Sequence, residues 1–176
     1  MRLVWLGLVL LFIACAPVTQ PQTDTTPEVS TMKLSSPAFQ HNGKIPAKYT
    51  CQREDINPPL EWSETPTGTK SFALIVDDPD ARRVAGFTWI HWLVKDISST
   101  TRKIGENTIP GTQVMNSFRK VGYGGPCPPD GEHRYFFRLY ALDTDKLPAS
   151  TSKDFYEQAE KHKIEEAVLM ATYVKT

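Results

Sequence analysis

Three groups of residues carry chemistry where an apolar strand should carry none or should simply end. Asp78-Pro79-Asp80 closes the apolar run Ser71–Val76, so two carboxylates separated by a proline are aimed from a strand terminus. A structural alternative is a turn whose Asp side chains bond their own backbone. His91 lies in Phe87–Ile97 (FTWIHWLVKDI), flanked by Trp89 and Leu93, where a satisfied core histidine is the competing reading. Gly124-Gly125-Pro126 leads into His133-Arg134-Tyr135. Glycines let backbone amides approach an anion, and prolines stiffen such a loop without adding donors, although a tight structural loop reads the same way. Taken together, imidazoles, a phenol and exposed amides donate to phosphate or carboxylate oxygens, while the carboxylates suit an ammonium group. A small zwitterion carrying a phosphate and an amine fits both sets.

Strands and turns must hold these groups. Ser71–Val76 is apolar on both faces and reads as a buried central strand. Strict alternation along the next strand puts Trp89, His91 and Leu93 on one face and Ile90, Trp92 and Val94 on the other. His133–Leu142 is a third strand, with His133, Tyr135, Phe137 and Leu139 sharing a face, and Gly122–Gly131 before it is an ordered loop. Leu34–Phe39 reads as a short first strand, Ile45–Tyr49 as extended chain broken by Pro46, and Ser98–Val121 as polar and irregular. Thr151 or Ser152 caps a helix to about Lys161, with Phe155, Ala159 and His162 along its inner stripe. Periodicity leaves Ala167–Val174 open between strand and helix. Mostly strands, many turns and one or two late helices give a mainly β fold, a sandwich with helical additions.

Of the 176 residues, 20 are Lys or Arg and 20 are Asp or Glu, which excludes the broad basic footprint of a nucleic-acid binder. With 40% hydrophobic residues the chain can build a packed core. Leu3–Ala14 (LVWLGLVLLFIA) follows Arg2 and is too short to span a bilayer, which takes about 20 residues. It reads as a secretory signal over residues 1–15, followed by a Pro/Thr/Gln-rich tether over 16–31 and a domain over 32–176. Phe12-Ile13-Ala14-Cys15 resembles a lipobox, which makes Cys15 a lipidation site and the protein a membrane-anchored, extracytoplasmic lipoprotein. Cleavage after Ala16, giving a secreted or periplasmic protein, is the alternative. Outside the cytosol, Cys51 and Cys127 are expected to pair, closing a loop worth about 4 kcal/mol in the chain-entropy model, with free buried thiols as the alternative.

Leu74–Ala81 with Trp89-Ile90-His91-Trp92, then Gly122–Pro129 with His133-Arg134-Tyr135, resembles the phosphatidylethanolamine-binding protein family, in its prokaryotic, Raf-kinase-inhibitor-like branch. Cys51, Pro58-Pro59-Leu60-Glu61-Trp62, Asn116 with Phe118, and Tyr140-Ala141-Leu142-Asp143 are similar as well. The resemblance implies a β-sandwich of two antiparallel sheets with one or two C-terminal helices, and a small pocket for anions and phosphorylated headgroups. Its ligand-binding residues would be Asp78, Asp80, Trp89, His91, Gly125, Pro126, His133 and Tyr135. Arg82 stands where the family often has Pro, which puts an extra cation near the pocket mouth.

The leading expectation is a non-catalytic binder of phosphoethanolamine-like headgroups, with no cofactor, no metal and no catalytic residue. A regulator that binds another protein is the main alternative, and a large exposed apolar patch would favour it. Metal-dependent hydrolysis through His91, His133, Asp78 and Asp80, and a Cys127–His133 nucleophilic site, are lesser ones.

Overall fold

The computed structural model describes residues 31–176; the expected signal segment, Cys15 and the expected tether up to Ser30 lie outside them. Eight strands and two helices follow in the order β1 (Lys33–Ser35), β2 (Leu60–Ser63), β3 (Ser71–Asp78), α1 (Arg82–Ala85), β4 (Trp89–Ser98), β5 (Lys103–Ile104), β6 (Thr112–Val114), β7 (Glu132–Leu142), α2 (Ser152–His162) and β8 (Lys163–Val174). They form two antiparallel sheets, a large one in the order β6-β4-β3-β7-β8 and a small one in the order β1-β2-β5.

Why β3 is apolar on both faces is now plain. It lies between β4 and β7 in the middle of the large sheet, and all eight of its residues are buried. Phe72, Leu74 and Val76 meet Trp92, Val94, Phe137, Leu139 and the small sheet's Leu34, Leu60 and Trp62 in the inter-sheet core. Ala73 and Ile75 face the other way, onto a second core with Leu93, Tyr140, Phe155 and Ala159 beneath α2. The molecule is therefore layered as small sheet, large sheet and helix. Both cores are complete within residues 32–174, so this part has what it needs to fold without the segment that precedes it.

Several local expectations change. Alternation fails in β4, because Val76 pairs with Trp92 and Asp77 with Ile90, leaving His91 as an extra residue in a β-bulge. Trp92 thus joins the inter-sheet core while Leu93 turns to the helix side, the reverse of strict alternation. Ile45–Tyr49 is not extended, since Ala47–Tyr49 forms a 3₁₀ turn behind Pro46. The first strand stops at Ser35, before Pro37, and the polar stretch after Ser98 still supplies β5 and β6. Ala167–Val174 is strand: β8 pairs with β7 nearly end to end, with Ala167, Leu169, Ala171 and Tyr173 inward. One late helix remains, capped by Thr151, whose Oγ1 accepts from the Asp154 amide at 3.2 Å. His162 leaves its inner stripe and meets Asp143 Oδ1 at 2.8 Å.

The two cores set a contrast in stability. Leu74→Ala, at a fully buried position, should lower the unfolding free energy by about 2–5 kcal/mol. Met115→Ala, at a position 54% exposed, should change it by less than about 0.5 kcal/mol in the same denaturant titration.

Candidate functional site

Strand β3 ends in two adjacent carboxylates, and the strand period sends them to opposite faces. Asp77 points toward α2, where its Oδ2 accepts from Arg138 Nε at 3.0 Å and from the Tyr156 hydroxyl at 2.9 Å. A groove of about 580 Å³ lies there, lined in part by Arg82, Arg138 and Glu166. There Arg138 bridges Asp77 and Glu166, and Arg82 Nε donates to the neutral Thr88 Oγ1 at 2.7 Å. Arg82 is therefore not the cation at the pocket mouth.

Asp78 points the other way, into a cavity of about 230 Å³ lined by Ala81, Val84, Ala85, Trp89, His91, Phe118, Cys127 and Pro129 as well as Asp78 itself. One Asp78 oxygen accepts from the Ala81 amide at 3.0 Å, fixing the turn that starts α1. The other meets His133 Nδ1 at 2.7 Å, and His133 Nε2 faces Asp130 Oδ1 at 3.2 Å. Burial alone would lower the His133 pKa, but hydrogen bonds and charge from Asp78 and Asp130 outweigh it, and the net direction is up. With a carboxylate on each ring nitrogen, both nitrogens are placed to donate, which favours the cationic form.

His91 is the opposite case. Its Nδ1 lies 2.6 Å from the Gly124 carbonyl oxygen, which can only accept, so Nδ1 carries the proton. Burial drives its pKa down and keeps the ring neutral, leaving Nε2 as a bare acceptor. The ring is packed edge-on against Phe118 at 5.3 Å and Tyr135 at 5.2 Å. Of two buried donors nearby, Trp89 Nε1 has no hydrogen-bond partner, and the Tyr135 hydroxyl has only a weak interaction with Asp78. Burial, followed by the charge of Asp78, pushes the Tyr135 phenol far above its ordinary range, so it stays a donor.

The expected residues thus divide. Asp78, Trp89 and His91 line the cavity, and His133 and Tyr135 stand directly behind them. Asp80 turns outward, where Arg134 holds both its oxygens at 2.7 and 2.9 Å and keeps its carboxyl at a pKa of about 2. Gly125 and Pro126 directly precede Cys127 of the cavity wall without lining the cavity themselves, and the glycine amides are not free for an anion. Gly124 N donates to the His91 carbonyl at 3.0 Å, and Gly125 N donates to Asp55 Oδ1 at 2.6 Å. These glycines serve close packing instead. A Cβ on Gly125 would lie 2.5 Å from the Tyr49 carbonyl oxygen and 2.8 Å from Thr50 Cα. The Cys51–Cys127 disulfide fastens the same wall to the 47–55 segment, so neither of the two cysteines among the described residues offers a free thiol for a nucleophilic site. Of the four candidate metal ligands, Asp78, Asp80 and His133 are bonded to protein partners, and among the described residues no group of three or more His, Cys, Asp or Glu side chains is arranged to hold a metal ion.

Sequence reasoning missed the far wall. Phe118 is set by the buried Asn116, whose Oδ1 accepts from the Phe118 and Lys120 amides while Nδ2 donates to the His91 and Gly122 carbonyls. Val84 and Ala85 come from α1, a single turn with Ala81 as its N-cap and no apolar periodicity to announce it.

Residues 35–174 match the family model described as phosphatidylethanolamine-binding protein. The chain belongs to that family. It is 46% identical over 151 residues to a UPF0098 protein of Chlamydia pneumoniae, covering 82% of this chain and all of that one. A UPF0098 protein of Methanothermobacter thermautotrophicus is 44% identical, with 81% of this chain and 98% of the relative covered. Among solved structures, a putative phosphatidylethanolamine-binding protein homologue from Chlamydia trachomatis superposes with a TM-score of 0.76 at 40% identity, covering 82% and 98% of the two chains. Escherichia coli YbcL, described as a member of the mammalian family, gives 0.77 at 29% identity and covers 82% and 99%. The two antiparallel sheets expected of the family are the ones observed. Members of this family are typically ligand- or anion-binding proteins.

Two consequences are measurable. Gly125→Ala should lower stability by about 1–3 kcal/mol, because backbone atoms on the facing segment leave no room. The His133 pKa is raised on folding, so its contribution is full below the unfolded value of about 6.5 and fades as pH rises through the folded value. The stability gap between the natural protein and His133→Gln should therefore be widest in mild acid and shrink on the alkaline side, as followed by denaturant titration against pH.

Proposed function

We propose that this domain is a non-catalytic binder of small phosphorylated or anionic ligands, with phosphoethanolamine-like headgroups as the fitting class. The observation that carries this reading is a set of unspent hydrogen-bonding groups around an apolar-walled cavity. They are the unpartnered Trp89 indole N–H and the weakly engaged Tyr135 hydroxyl, beside the cavity-lining His91, whose Nδ1 is held by Gly124, and close to the buried Asp78–His133 pair. Buried donors without acceptors are costly, about 1–3 kcal/mol each, and a ligand oxygen removes that cost. A phosphate serves both donors, and the proton on its hydroxyl serves the bare His91 nitrogen. Asp78 suits the ammonium end of such a zwitterion. The Cys127 sulfur is held in the disulfide, which does not favour a thiol nucleophile here.

The sequence supports an extracytoplasmic home: a lipobox-like Cys15 with a polar tether after it would hold the domain at a membrane surface. The Cys51–Cys127 bond fits an oxidising compartment.

Calorimetric titration of phosphoethanolamine into the domain from Thr31 onward should give saturable binding, unaffected by chelator and weakened at least about tenfold in His91→Ala. Affinity should fall as pH rises from about 6 to 8, because the complex needs a proton shared between the phosphate and a ring whose free pKa is low. No binding by the natural protein, or binding only with added metal, would overturn the reading.

A further inference from the structure

The segment that brings Cys127 to the cavity, Tyr123–Pro129, belongs to no strand or helix, and the 47–55 segment facing it is a 3₁₀ turn followed by irregular chain. Three hydrogen bonds cross between them. The Tyr123 hydroxyl donates to the Tyr49 carbonyl at 2.9 Å, Gly125 N to Asp55 Oδ1 at 2.6 Å, and Cys51 N to the Pro126 carbonyl at 3.2 Å. Bonds between loops open locally and singly. The covalent link across the same gap is the Cys51–Cys127 disulfide, which joins positions 76 residues apart. Its two ends differ: Cys51 is exposed, whereas Cys127 is half-buried and lines the cavity. Exposed disulfides are the ones that exchange readily with thiols.

Gly124 carries any movement of this segment to the centre of the site. Its amide donates to the His91 carbonyl at 3.0 Å, and its own carbonyl accepts from His91 Nδ1 at 2.6 Å. The second bond decides which ring nitrogen holds the proton. Neither cysteine belongs to the two apolar cores, so the bond can break while both sheets stay packed. We propose that Cys51–Cys127 is a thiol-exchange site, and that its reduction by a dithiol frees the cavity wall and lowers ligand affinity. The affinity half rests on the headgroup reading above; the release of the wall and of His91 does not.

The exchange balances as follows. One thiolate of the dithiol attacks the Cys51 sulfur and forms a mixed disulfide; the Cys51–Cys127 bond breaks, and Cys127 leaves as a thiolate. The second thiolate of the dithiol then attacks its own sulfur in the mixed disulfide and releases Cys51. Two electrons pass to the protein, the dithiol becomes a disulfide, and its two protons end on the two cysteines by way of solvent.

The test uses the domain from Thr31, which lacks the Cys15 thiol, and dithiothreitol without denaturant. Two thiols should appear, counted by alkylation and mass spectrometry, while the far-UV circular dichroism stays that of the folded domain. Affinity for phosphoethanolamine should fall about tenfold, as for a wall closed one-tenth of the time, and should return on reoxidation. Cys51→Ala with Cys127→Ala should match the reduced domain. Leu74→Ala, which weakens the inter-sheet core with the bond intact, should keep its affinity within about twofold, so lost stability alone does not mimic the effect. In ¹⁵N-histidine spectra, His91 should pass on reduction from one tautomer to a mixture. A bond that is reduced only as the domain unfolds is a structural staple, and that result overturns the proposal. Equal affinity and an unchanged His91 in the two redox states overturn it as well. If neither state binds phosphoethanolamine, the headgroup reading falls by itself; a mixed His91 tautomer in the reduced domain still upholds the release of the wall, and an unchanged one overturns it.

Discussion

A carboxylate buried at the end of a central strand cannot remain charged without a counter-ion, and at Asp78 that counter-ion is His133. The pair joins the end of β3 to the start of β7 at 2.7 Å, and each partner spends its second polar atom on a neighbouring turn. Asp78 organises Ala81 and so the α1 turn that supplies Val84 and Ala85 to the cavity; His133 reaches back to Asp130 in the loop before it. Three elements distant in sequence are thereby held around one space. Removing one partner of such a buried pair leaves an uncompensated charge, which costs about 3–5 kcal/mol, so the cavity's walls and the domain's stability share a cause.

The second constraint is the bulge. An inserted residue in β4 turns His91 and Trp92 to the same side, so Trp92 can fill the core while His91 keeps its place at the cavity. Gly124 then closes on His91 through two hydrogen bonds, and Gly125 packs against the 49–55 segment fastened by the disulfide. The result is two histidines in opposite states a short distance apart: one charged between carboxylates, the other neutral with an open nitrogen. On the headgroup reading proposed above, that division would suit a zwitterion.

Much of this was legible in the residues. The double-sided apolar run Ser71–Val76 announced a central strand, and the polar groups in or beside apolar strands marked the cavity. What stayed hidden has physical reasons. A bulge conserves composition and alters only pairing, so alternation along Trp89–Val94 could not show it. Gly124-Gly125 reads the same whether its amides are free or spent on His91 and Asp55. In Ala167–Val174 the outward residues are nearly as apolar as the inward ones, so no period stood out until β7 supplied the partner. The direction of Asp80 and Arg82 depended on Arg134 and Thr88, contacts across the fold or turn that spacing does not encode.

The central claim is the opposite protonation of the two cavity histidines, and ring-nitrogen NMR of the ¹⁵N-histidine-labelled domain at about pH 6.5 reads it directly. His91 should be neutral with its proton on Nδ1, and His133 should carry protons on both nitrogens. A proton on His91 Nε2, or a neutral His133, would contradict the account.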